Sequence, residues 1–75
     1  MKEVNILPGR IRFKTNKIYR NKVLAKYTDI YIGNIYGVKY SNVSCNTGSI
    51  LIVYDEAKTN MKLIKHSIEQ VLSSK

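Results

Sequence analysis

The sequence predicts an α+β domain, one antiparallel sheet with two helices on one of its faces. Three observations predict it. In 10-RIRFK-14, Ile11 and Phe13 alternate with Arg10, Arg12 and Lys14, the period-two signature of a half-buried strand. Two later segments carry apolar residues at three- and four-residue spacing, as amphipathic helices do. Between them, 46-NTG-48 separates two extended runs and reads as a hairpin turn. Seventy-five residues fit one domain, 1–75. A chain of this size buries about 60–65% of its extended surface, which allows one core and little room for a deep cavity.

Residues 3–7 and 10–14 read as extended, and Pro8 and Gly9 mark the entrance of the second of these runs. Pro8 lacks an amide proton for a sheet ladder, and Gly9 tolerates a backbone angle closed to other residues. The segment 15-TNKIYRN-21 reads as a polar connection, with Asn21 placed to cap a helix. Val23, Leu24, Tyr27, Ile30 and Tyr31 are expected to form the buried stripe of that helix, with Lys22 and Lys26 on its other side. The glycines of 32-IGNIYG-37 end it around Ile32–Asn34. Residues 38–45 form a weaker strand, and 49-SILIVYD-55 the strongest of the chain. After the loop 55-DEAKT-59, Thr59 is the expected N-cap of a second helix whose stripe is Met61, Ile64, Ile68, Val71 and Leu72. The resulting order, β-α-β-β-α, is a ferredoxin-like unit β-α-β-β-α-β without its last strand. That strand is either missing or supplied by a partner.

The balance of charge is strongly positive, +8 with thirteen Lys/Arg against five Asp/Glu. It is also uneven. Residues 1–39 hold nine Lys/Arg against Glu3 and Asp29, and from Arg10 to Lys26 there are seven cations and no acid. Such a segment attracts phosphates, anionic lipid or an acidic protein surface through one long-range field, while its plain reading is a solvated surface. No N-terminal run resembles a signal peptide, because Met1 leads directly into Lys2 and Glu3, and none is expected. The longest apolar run, 50-ILIVY-54, is far short of the roughly 20 residues that span a bilayer. A cytoplasmic location is expected, with membrane attachment only if the chain continues into a longer transporter. One cysteine, Cys45, excludes an intrachain disulfide and a thiol-rich metal site from one chain.

The strings 8-PGRIR-12, 37-GV-38 and 47-TGSILIVYD-55 resemble a divergent heavy-metal-associated domain, of the kind found at the N-terminus of metal-transporting P-type ATPases and in related small bacterial proteins. The resemblance covers roughly residues 4–72. It implies a ferredoxin-like fold and a link to transition-metal transport or handling. The resemblance also implies a Cys-x-x-Cys pair in the loop between first strand and first helix, where two thiolates would hold a soft cation. In this chain that loop is 15-TNKIYRN-21, with neither cysteine nor histidine, and the histidine that often stands three residues before the proline is replaced by Asn5.

Candidate residues for function follow from these patterns. Arg10, Arg12 and Lys14, with Lys17 and Arg20 beyond them, are the expected anion- or partner-binding set. Facing away from the helices, the first three would share an open sheet face with Leu51 and Val53, a cationic-aliphatic surface without the aromatic platform on which RNA-binding modules of this topology stack bases. Cys45 and His66 are weak candidates as metal ligands, read more simply as a small strand-end residue and a surface histidine. Asp55 and Glu56 form a carboxylate pair, but Asp55 fits better as an acceptor for loop amides. Catalysis has no support, since Cys45 and His66 lie on different elements without an orienting motif. No glycine pattern cradles a phosphate, and no cofactor is implied.

The expected function is a non-catalytic interaction or regulatory domain linked to transition-metal handling, with a basic polyanion- or nucleic-acid-binding module as the alternative. An unpaired edge on strand 10–14 is the expected route to a protein partner or to a second copy of the chain in a dimer.

Overall fold

A computed structural model describes residues 2–73. Met1, Ser74 and Lys75, the ends of the expected 1–75 domain, lie outside them. The elements run β1 (Lys2–Leu7), β2 (Arg10–Lys14), α1 (Lys22–Gly33), β3 (Val38–Ser44), β4 (Ser49–Tyr54) and α2 (Met61–Ser73). The four strands form one antiparallel sheet in the order β1-β2-β4-β3, and both helices pack on one face. The α+β ferredoxin-like architecture is therefore the one the sequence predicts.

The position of the missing strand is a correction. Residues 2–7 fold back on β2 and fill the edge place that a last strand would take in the ferredoxin-like unit. The order becomes β-β-α-β-β-α, and the edge of strand 10–14 is not free. The cause is local. Pro8-Gly9 makes a tight turn, with Gly9 at φ 73 as the second turn position requires. The Gly9 carbonyl also accepts from the Tyr54 amide at 2.9 Å, which ties the turn to β4. A strand closed by a two-residue turn loses far less chain entropy than one recruited from beyond α2.

Alternation sorts the strands as expected. Ile11 and Phe13 on β2, with Ile50, Ile52 and Tyr54 on β4, are buried beneath the helices. Helix α2 supplies Ile64, Ile68, Val71 and Leu72 to the same core, with Met61 partly buried against it. Its cap is Asn60 rather than Thr59. The Asn60 Oδ1 accepts from the Leu63 amide at 3.0 Å, while Thr59 is buried.

Helix α1 departs further from expectation. Asn21 caps it as predicted, accepting from the Leu24 amide at 3.1 Å. Its buried residues, however, are Leu24, Ala25, Thr28 and Ile32, while Val23, Tyr27, Ile30 and Tyr31 are exposed. Both sets obey helical spacing, so periodicity alone could not choose between them. Small Ala25 and Thr28 suit the close approach to β3 and α2. In this rotation Ser41 Oγ on β3 donates to Asp29 at 2.6 Å. The connection 15–21 also contributes to the core, because Ile18 is fully buried.

Candidate functional site

The open face of the sheet is built by pairing register. In antiparallel strands directly opposed residues share a face. Leu7 opposes Arg10, Arg10 opposes Val53, and Val53 opposes Tyr40. One row across the face therefore reads Leu7, Arg10, Val53, Tyr40. The next reads Asn5, Arg12, Leu51, Asn42. A β-bulge between Glu3 and Asn5 sets this phase in β1, turning Asn5 to the open face and leaving Glu3 on the helix side.

Between the first two strands and β4 lies a shallow depression of about 170 Å³, lined by Asn5, Leu7, Arg10, Arg12 and Leu51. Arg10, Arg12 and Lys14 are exposed, and none of them forms an ion pair among the described residues. Two guanidinium groups beside a depression with an amide side chain can take a carboxylate or phosphate in bidentate geometry. The face is less purely aliphatic than the sequence suggested, since the exposed Tyr40 joins it. Tyr40 was legible only through the register of β3, which a second bulge at Lys39 shifts.

The structure does not bring all five predicted cations together. Lys17 turns toward the end of α2, where it lines a small depression with Thr15, Glu69, Leu72 and Ser73. The Arg20 guanidinium lies 5.3 Å from the centre of the Tyr19 ring, a cation–π stack within the loop. Arg20 also has φ 58, an angle rare outside glycine. The angle is held by its amide, which donates to the Cys45 carbonyl at 2.8 Å, as the Thr15 amide does to Gly48 at 2.9 Å. The loop 15–21 is thus strapped to the β3–β4 turn.

The strap sets the chain's single thiol beside the loop. Cys45 is half-buried and packs against the core, its nearest polar partner being Asn46. His66 is exposed on α2. Among the described residues no three His, Cys, Asp or Glu side chains gather to hold a metal ion. Asp55 is occupied as a turn residue, accepting from the Ala57 amide at 2.9 Å.

A family model described as heavy metal associated domain 2 matches residues 2–75. The chain belongs to this family. Comparison with curated proteins and with solved structures returns no match. At the loop where the resemblance implies a thiolate pair, the chain has neither cysteine nor histidine. Soft cations such as Cu(I) need thiolate or imidazole donors. Here the loop offers Lys17, Tyr19 and Arg20, and one neighbouring thiol. These residues do not fit a soft metal ion, and a bare cation there meets positive charge. No helix among the described residues is long and apolar enough to cross a membrane.

Proposed function

We propose that this heavy-metal-associated domain is a non-catalytic docking or regulatory module in transition-metal handling, acting as a cytosolic part of a metal-transporting P-type ATPase or of its accessory machinery. Its sheet face, rather than the loop 15–21, is the working surface. The observation that carries the reading is the pair Arg10 and Arg12, exposed beside the depression with Asn5 and Leu51 and without a carboxylate partner among the described residues. An acidic protein surface fits it. A partner segment or a second copy adds along the outer edge of β1, where Val4, Ile6 and Leu7 are about half exposed.

Titration of the labelled domain with an acidic peptide, followed by amide chemical shifts, tests this. Shifts confined to β1, β2 and β4 and lost in R10E/R12E are expected. In cells, R10E/R12E should change the content of at least one of Cu, Zn, Ni and Co. Unchanged content of all four would sink the link to metal handling.

A second reading is favoured by Tyr40. One aromatic beside Val53 and Arg10 gives a base something to stack on, although RNA-binding modules of this topology use two or three. Titration with single-stranded DNA and RNA separates the readings. Tight, salt-sensitive binding that Tyr40→Ala weakens would favour nucleic acid over an acidic protein.

A further inference from the structure

The unexpected rotation of α1 leaves an apolar ridge on the outside of the molecule. Val23 is 82% exposed, Ile30 57%, Tyr27 50% and Tyr31 37%. Their spacing of three, four and eight residues puts them in one stripe about 12 Å long. Lys22 and Lys26, both exposed, lie along one flank, Lys26 three residues from Val23 and four from Ile30. The only acid of the helix, Asp29, is engaged with Ser41 at the sheet. Neither lysine forms an ion pair among the described residues.

We propose that this ridge docks on an anionic lipid bilayer. Three features point to that occupant. An apolar helix face flanked by lysines is the pattern of interfacial helices, whose apolar side chains enter the headgroup boundary while the ammonium groups meet lipid phosphates. Tyrosine is at home at that depth, apolar in its ring and wet at its hydroxyl. The ridge is convex and narrow, so it suits a fluid surface that closes around it. A stable protein interface buries about 800 Å² on each partner, more than one two-turn stripe presents. A second copy of the same face is disfavoured by charge, since it would gather four lysines around one small contact with no free acid on either helix. The ridge lies on the helix side of the sheet, so Arg10 and Arg12 on the other side stay available to a partner.

The test is co-sedimentation with vesicles of phosphatidylcholine alone or mixed with phosphatidylglycerol, at about 50 and 200 mM salt. The domain should bind the mixed vesicles, not the neutral ones, and more weakly at high salt. Lys22→Gln and Lys26→Gln should each weaken binding about fivefold. V23S/I30S should weaken it on the order of tenfold, because these exposed side chains serve insertion and not the core. Amide exchange of each variant without lipid confirms the fold. R10Q/R12Q, on the opposite face, should lose less than the lysine variants. The proposal is overturned by no binding to mixed vesicles, or by binding indifferent to V23S/I30S but abolished by R10Q/R12Q, the mark of diffuse attraction. A dimer in light scattering that V23S/I30S disperses, or poly-glutamate protecting α1 amides where vesicles do not, would also overturn it.

Discussion

The Lys65 ammonium donates to the Glu3 carboxylate at 2.8 Å, joining α2 to β1 across 62 residues of sequence. The contact exists because the bulge in β1 leaves Glu3 on the helix side, opposite Phe13. The hydrogen bond from Lys65, and then the nearby Glu3 charge, raise the lysine pKa above its ordinary value. A raised lysine pKa stabilises the fold while the ammonium is protonated, and that contribution is lost as pH rises through the raised value. Glu3→Gln should therefore lower the denaturation midpoint at neutral pH, less so in high salt, and not at all above the raised Lys65 pKa. A deficit that persists unchanged at that alkaline pH would mean Glu3 acts by packing alone.

Ile18 sits in a connection without helix or strand, yet it is fully buried. Ile18→Ala should cost about 2–5 kcal/mol in denaturant unfolding, as for any large buried aliphatic residue. A cost near zero would show that the loop 15–21 is not anchored in the core.

Thr28 is fully buried on α1, and its hydroxyl has no hydrogen-bond partner among the described residues. Valine has nearly the same shape without the polar atom. Thr28→Val should stabilise the domain by about 1 kcal/mol. Destabilisation would reveal a bond to the hydroxyl, with a backbone carbonyl one turn earlier as the first place to look.

The outer edge of β1 is the proposed route to a second copy. Light scattering over a concentration series should show self-association that Val4→Lys weakens, since an edge charge discourages strand pairing. Association insensitive to Val4→Lys would move the contact away from this edge.

Gly48 links the β3–β4 turn to the loop 15–21. It has φ 69, and a Cβ there would lie 2.6 Å from the Thr15 carbonyl oxygen. Gly48→Ala should destabilise by more than the about 1 kcal/mol usual for a left-handed alanine, because backbone must move. Amide exchange should also speed up at Thr15 and Arg20, whose amides bond to this turn. Normal exchange at both would separate the loop from the turn.

Strand alternation in 10-RIRFK-14 and 49-SILIVY-54 determined the two central strands, their buried residues and the open face that carries Arg10 and Arg12. The stripe of α2 was equally legible, because one face of that helix is clearly apolar and the other is polar apart from the exposed Leu63. These are local patterns with one solution each. The chemistry of the loop 15–21 was also plain in the sequence, since the residues a soft metal needs are absent from it.

Tertiary structure decided the rest, where local patterns allowed two answers. Residues 3–7 read as extended, but only the Pro8-Gly9 turn and the bulge beside Glu3 made them an edge strand that closes the flank of β2. Tyr40 reached the open face through a register shift in β3. Helix α1 is apolar on two sides, and packing buried the side of Leu24, Ala25, Thr28 and Ile32, with the Ser41–Asp29 hydrogen bond beside it. The other side, with Val23 and Ile30, became the exposed ridge. Periodicity states which residues share a face, while only packing against the sheet states which face is inside.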